Sequence, residues 1–488
     1  MSHIHLSMDS YFYRYAHKYE ALYHALYDAI LSGRIYKGEK LPSSRKLAEY
    51  YEISRGTVNQ VYEMLIAEGV LETIKGSGTY VSFTFSSSST LKKDLLPVSL
   101  SEVGEKMKRI SSISRPDVNQ PIHFHIGLSD MDYFPYKQWR RSLRHEMGKM
   151  EDEIKFSNMN SQKFYSLTTE IAKHLRHYHG LDCKNEQIVL VEDTAQSLFM
   201  LLQLLINVKE DSVVMEDPGY LGWEKVVLAT GAQLKRLCVD SDGMQFKELD
   251  AKLAIVNADC HFPTGVALSL ERKKRMLQWA DKQEAFIIDA QYGVELCYDE
   301  KSKNALMMLD QSSRVIMTGT FSLTMMSSMK LGYIVFPEAL IDIANRMKHL
   351  FDACERETFE QRALAHFMNT GDYSRHLNHM QRIYHHKKAL FSQLFQMYCS
   401  QWFKVLPNNS ATFILTKWNG DTASYDEAMK ICEQEGTSWT DANLIYFERK
   451  ESYASFSFAH LNEQSMEKGL IRLAFVLGKI NIKTEGVL

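Results

Sequence analysis

The apolar positions of this chain follow two rhythms. Near the N-terminus they recur every three to four residues: Leu22, Ala25, Leu26, Ala29 and Ile30 mark one face of an amphipathic helix that Gly33 stops. Pro42 and Ser43 open a second, shorter helix with Leu47 and Ala48 on its buried side. After a short turn at Glu52 and Ile53, Ser54 caps a third helix whose inner face carries Val58, Val61, Tyr62 and Leu65, and Gly69 ends it. Two extended runs then flank Lys75, Gly76, Ser77 and Gly78, the pattern of a β-hairpin. From about Ile122 the rhythm changes. Short apolar runs (QIVLVED, SVVMEDPG, AIVNAD, AFIIDAQ, RVIMTGT) alternate with helical stretches. That alternation predicts a multidomain α/β chain whose large part is a mainly parallel sheet with helices on both faces. Between the two regimes, residues 83–121 combine a serine run, mixed charge and weak periodicity, which predicts a linker. The expected division is 1–82, 83–121 and 122–488.

Composition narrows the classes. A chain of 488 residues, 45% hydrophobic and 24% charged, has ample material for two to four packed cores. The formal net charge of -3 excludes a polycation, so any nucleic-acid contact must come from a local patch. The seven cysteines are scattered, odd in number and without a CxxC pair, which predicts reduced thiols in a cytosolic protein. No signal-peptide pattern opens the chain. Ser197–Val208 is strongly apolar but shorter than the ~18 residues needed to span a bilayer. A cytoplasmic protein without a membrane partner is expected.

Two short helices joined by a tight turn form a helix-turn-helix, whose second helix presents its N-terminal residues to base edges. Here these are Arg55, Gly56, Thr57 and Asn59 or Gln60. Arginine pairs bidentately with guanine, and Asn or Gln with adenine. Arg45 and Lys46 suit phosphates, and the glycines around Lys75 suit a wing that approaches the backbone closely. The same helices and hairpin also suit a small protein-interaction module. The segments LPSSRKLA, SRGTV and GSGTYV, in this order and spacing, resemble the DNA-binding domain of the GntR family. The resemblance implies a winged helix-turn-helix in a homodimer on paired half-sites of double-stranded operator DNA. It implies contacts from Arg45, Ser54, Arg55, Thr57 and the wing residues Gly76, Ser77, Gly78 and Thr79. Gln60 and Lys75 complete the candidate set.

The large region carries FHIGLSDMDYFP, EDPGYLGWEKVVLATGA, HFPTGVALSLERKKRML, IIDAQYGVELCYD, VIMTGTFSLTMMSSMKLGYIVFP and FAHLNEQSMEKGL. Over residues 122–480 it resembles the fold-type I, pyridoxal-phosphate-dependent aminotransferases, with a smaller α+β subdomain, and joined to a GntR domain it is similar to the MocR-like regulators. That resemblance implies a Schiff-base lysine after a serine, but the pair here is Ser322–Leu323, and leucine cannot form an imine. It implies a carboxylate two residues before Tyr292. That position is Ala290, and the neighbouring Asp289 is expected to face the other way on its strand, although in aminotransferases at large the resemblance also allows the acid three residues before the tyrosine, which is Asp289. The expected carboxylate-gripping arginine is Ser455, and the phosphate turn reads Asp193–Thr194–Ala195–Gln196, where Asp193 would repel phosphate. Ser322 and Lys330 remain as anion contacts, and Lys330 is the alternative Schiff-base lysine. Loss of transamination and of covalent pyridoxal phosphate is expected, with no catalytic or metal-ligating residue assigned. The old pocket is left either to a small-molecule effector or non-covalent cofactor, with Thr194, Gln196, Tyr220, His261, Tyr292, Ser322 and Lys330 as candidate contacts, or to a dimerisation scaffold. The competing reading is an active aminotransferase with an appended DNA-binding module. The family also implies a head-to-tail dimer.

Overall fold

The computed structural model describes residues 6, 8–83, 99–110, 122–155, 166–297, 305–351, 357–442 and 451–480. They fall into two compact units, 1–99 and 100–488.

The first unit holds helices α1 (Met8–Arg14), α2 (Lys18–Leu31), α3 (Ser44–Tyr50) and α4 (Arg55–Ala67). A hairpin follows, of strands β1 (Leu71–Ile74) and β2 (Gly78–Val81), antiparallel with Leu71 opposite Val81 and Ile74 opposite Gly78. The apolar stripes meet as expected. Leu22, Leu26, Leu47, Val58, Val61, Leu65 and Val81 form one core, each such side chain contributing about 1.5–3 kcal/mol by leaving water. Ser43 and Ser54 cap α3 and α4, their Oγ atoms accepting from the Lys46 and Thr57 amides. Helix α1 was not anticipated. Its aromatic residues Tyr11 and Phe12 pack on the core, and the Tyr11 hydroxyl donates to Asp28 at 2.8 Å.

The second unit contains two sheets. Its strands are β3 (Ile122–Phe124), β4 (Ile188–Val191), β5 (Ser212–Asp217), β6 (Gln233–Asp240), β7 (Gly243–Met244), β8 (Leu253–Val256), β9 (Phe286–Gln291), β10 (Val315–Thr320), β11 (Gly332–Val335), β12 (Phe403–Val405), β13 (Phe413–Trp418), β14 (Thr437–Asp441) and β15 (Tyr453–Ser457). The larger sheet runs β4-β11-β10-β9-β8-β5-β6-β7. The pairs from β10 through β6 are parallel, and β11 lies antiparallel to both its neighbours. Helix Thr194–Leu205 covers one face with Ile288, Ala290 and Ile316, while helix Leu270–Lys282 covers the other with Ile287 and Val315. Near-continuous burial of these strands matches a parallel sheet covered on both sides. The smaller sheet, β12-β13-β15-β14-β3, packs Trp418, Trp439 and Phe456 against helices Asp372–Cys399 and Glu463–Lys479.

Part of the expected linker is structured. Glu102–Arg109 is a helix capped by Ser101, and Glu102 pairs with Lys106 at 3.0 Å and with Lys209 at 3.2 Å. Residues 100–110 therefore belong to the second unit, and the serine run at 86–89 lies outside the described residues. No helix among the described residues is long and apolar enough to cross a membrane.

Candidate functional site

In the first unit, the start of α4 sits against the start of α3. The Arg55 Nε lies 3.4 Å from Ser44 Oγ, and the Tyr62 hydroxyl donates to the Pro42 carbonyl at 2.8 Å. These contacts place the N-terminal turns of both helices at one corner. Arg45, Ser54, Arg55 and Gln60 are exposed there, and Thr57 is half-buried. Ser54 and Thr57 engage each other, with 2.8 Å between their hydroxyls and the Thr57 amide 3.0 Å from Ser54 Oγ. Ser54 thus has a structural duty besides any contact with DNA. Lys75, Gly76 and Ser77 are exposed at the hairpin tip, with Gly78 and Thr79 half-buried behind it. Ser77 Oγ is 2.6 Å from the Tyr80 hydroxyl. Gly76 has φ +81° and Gly78 φ +131°, and a Cβ on Gly78 would stand 2.7 Å from Lys40 Cε. Lys40 itself was missed. It bridges to Tyr80 beside the wing and places its ammonium 5.8 Å from that ring. Its segment, YKGEKL, is too short to show a strand period.

In the second unit the candidate pocket lies where the loops after β8, β9 and β10 converge. His261, Tyr292 and Leu323 line one cavity with Cys260, Cys297 and Thr412. Thr194, Gln196, Tyr220, Ser322 and Lys330 do not line it. Lys330 is exposed, away from Leu323's cavity. Tyr220 sits at the edge, its ring 5.9 Å from Phe262. The cavity holds about 30 Å³, room for one water, whereas ligand pockets run from roughly 300 Å³. Leu323 is only 8% exposed and belongs to the core with Leu296, Met325 and Tyr373.

Several polar groups around it are already engaged, although Ser455 Oγ and Gln291 Oε1 are buried without a hydrogen-bond partner among the described residues. His261 donates from Nε2 to the Pro218 carbonyl at 2.8 Å and accepts at Nδ1 from Thr264 at 2.7 Å. Burial holds it neutral, with its pKa pushed down to about 4. Glu216, 3.7 Å away, is pushed well up by burial. Asp289 points to the helix Leu270–Lys282 side, as its strand parity predicts. Its carboxylate accepts from the Ala258 amide at 3.2 Å and from Gln291 at 2.9 Å, and burial with the neighbouring Asp259 raises its pKa. Ala290 faces the opposite core. At the phosphate turn, Asp193 caps helix Thr194–Leu205 by accepting from the Gln196 amide at 2.7 Å. A protein carboxylate therefore occupies the amide end where an anion would bind. Ser455 is buried between β13 and β14. As packed, these residues do not fit pyridoxal phosphate.

A larger open cleft, about 1430 Å³, runs between β6 and the smaller sheet, with Arg236, Asp240, Asn408 and Tyr453 in its walls. None of the seven candidate contacts lines it. The cysteine expectation is corrected at the pocket: Cys260 and Cys297 are joined as a disulfide. Their separation of 37 residues carries no spacing signal, and only the fold brings them together.

The two units define a class: a winged helix-turn-helix domain on the same chain as an aminotransferase-like domain. A family model of bacterial regulatory proteins, gntR family, matches residues 18–81, and one of aminotransferase class I and II matches residues 124–473. The chain belongs to the class I and II aminotransferase family and carries a GntR-type DNA-binding domain. It is similar to the probable rhizopine catabolism regulatory protein MocR of Rhizobium meliloti, at 28% identity over 92% of this chain and 91% of that one. It is also similar to the pyridoxine biosynthesis transcriptional regulator PdxR of Corynebacterium glutamicum, at 26% over 74% and 75%. The fold of the large unit matches kynurenine aminotransferase from Pyrococcus horikoshii, with TM-score 0.64 and 21% identity, covering 80% of this chain and 97% of that one.

Proposed function

We propose that this protein is a DNA-binding transcription regulator whose aminotransferase-like domain works without transamination and without a covalently held cofactor. The packing of Leu323 carries this reading: an aliphatic core residue fills the space where the family's reactive amine is expected. Residues 1–82 act as the DNA reader, 83–99 as the tether and 100–488 as the dimerising and effector-responsive body. Two copies in a head-to-tail homodimer set two winged domains on paired half-sites in the cytoplasm. Arg45, Ser54, Arg55, Thr57, Gln60 and Lys75–Thr79 make the DNA contacts. An effector is better accommodated in the open cleft at Arg236 and Tyr453 than at Leu323, on volume alone.

Two measurements test it. The native protein is incubated with pyridoxal phosphate and borohydride, then mapped by peptide mass; no stoichiometric adduct is expected. An adduct on Lys330 together with amino-acid-dependent transamination would replace this reading with the active enzyme. Separately, the protein is expected to retard DNA from its own upstream region with an affinity that falls steeply as salt rises. Failure to bind at low salt would leave the regulator reading without support.

A further inference from the structure

The pocket that lost its lysine holds a different reactive pair. Cys260 and Cys297 approach with a Cα separation of 6.8 Å, which a bridge spans without moving the backbone. Both stand on anchored segments. The Cys260 amide donates to Asn257 Oδ1 at 3.2 Å, and the next residue donates its amide to the Val266 carbonyl at 3.0 Å. The Cys297 amide donates to the Val294 carbonyl at 3.0 Å. The turn carrying Cys297 is further held by Gln381, whose amide donates to the Glu295 carbonyl at 2.6 Å. The two thiols are therefore paired by the fold itself. They are the bridged pair among the described cysteines. Burial pushes Cys183 up to about 11 and Cys399 and Cys432 up to about 12, so these three stay protonated and inert near neutral pH. Cys238 is exposed and unbridged. Cys260 is only 6% exposed, while Cys297 is half-buried and meets solvent first.

We propose that Cys260 and Cys297 form a reversible dithiol–disulfide site at the wall of the Leu323 cavity, with a hydroperoxide as oxidant and a small dithiol as reductant. The Cys297 thiolate attacks the peroxide O–O bond, becomes a sulfenic acid and releases an alcohol, or water from hydrogen peroxide. The Cys260 thiolate then attacks the sulfenic sulfur, the S–S bond forms and water leaves. Two thiols and one hydroperoxide thus give one disulfide, one alcohol and one water. A dithiol reverses the step by exchange and is itself oxidised to a disulfide. Closing the bridge ties the loop after β8 to the turn after β9; opening it frees both sides of the cavity lining.

The test uses the full chain, reduced, freed of reductant and titrated with hydrogen peroxide, followed by alkylation and peptide mass mapping. Two of the seven thiols are expected to disappear together. They should be recovered as one cross-linked peptide pair carrying Cys260 and Cys297, and returned by dithiothreitol. Cys297→Ser, at a half-buried position, is expected to fold and to form no such pair. If both cysteines stay as alkylatable in peroxide-treated wild type as in the reduced protein, or if Cys297 passes to sulfinic acid with no bridge, the proposal is overturned. The thiol count needs no DNA, so a failure of operator binding would strike the regulator reading and leave this result standing.

Discussion

Arg55 opens α4 with its guanidinium exposed and its Nε braced 3.4 Å from Ser44 Oγ, a geometry that offers the fork to a ligand while limiting its rotamers. A guanine contact from this position depends on two parallel N–H donors. Arg55→Ala is expected to weaken operator binding by about 1–3 kcal/mol, roughly five- to 150-fold, with thermal stability unchanged. Arg55→Lys is expected to recover little of it, because an ammonium lacks the fork. Fluorescence anisotropy at one fixed salt concentration reads both, and equal affinity for wild type and Arg55→Ala would remove Arg55 from the interface. Leu323 makes the opposite argument. As a core side chain, its truncation to Ala should cost about 2–5 kcal/mol of stability, seen as a lower unfolding midpoint of the large unit. A variant as stable as wild type would mean that the residue lies in an open site after all.

Helices α2, α3 and α4 were legible because each buries one face, and five strands of the second unit because burial on both faces makes them short continuous apolar runs. The start of α4 shows the resolution of that reading. Ser54 was expected both as the cap of this helix and at the DNA, and its hydroxyl does accept from the Thr57 amide. The two duties separate by substitution. Ser54→Ala removes a cap worth about 1 kcal/mol and should lower the midpoint of the first unit. Ser54→Asp keeps a capping oxygen and should keep the midpoint, while its charge repels phosphate and weakens DNA binding. Calorimetry and anisotropy on the same two variants decide it; if Ser54→Asp binds DNA like wild type, Ser54 is a cap alone. Other elements were not legible for physical reasons. The MDSYFYR stretch of α1 carries aromatics around much of its circumference and so shows no clean stripe. Strand β3 is three residues long and pairs in parallel with β14 more than 300 residues away, a contact no local pattern records. The Cys260–Cys297 pairing was hidden for the same reason. At the pocket, sequence placed Leu323 where the resemblance implies a lysine, but not how the space would be used, since filling a cavity is a property of packing and not of any one position.

At the scale of the whole molecule, buried titratable groups set how stability follows pH. Burial pushes His125, His261, His376 and His460 down to about 4 in the folded chain, against an ordinary 6.5. Between these values the unfolded chain holds protons on those rings that the folded chain does not. Folding is then opposed by protonation, and stability falls as pH drops through that window. Glu216 and Asp289 act in the reverse sense. Their folded pKa values are raised, so the folded chain holds protons that unfolded carboxylates release, and these two groups favour the fold on the acid side. Glu216 and His261 lie 3.7 Å apart and partly offset one another. Four lowered histidines against two raised carboxyls leave the histidines dominant. The midpoint of the large unit is therefore expected to peak near pH 6.5 and to fall steadily toward pH 4, with net proton uptake on unfolding in that range. His261→Gln removes one titrating ring and should flatten the slope, whatever it does to the midpoint itself. Scanning calorimetry at several pH values between 4 and 8, in buffers of different ionisation enthalpy, measures both the slope and the uptake. A midpoint that climbs toward acid would show the buried carboxyls in control and refute the neutral state assigned to His261.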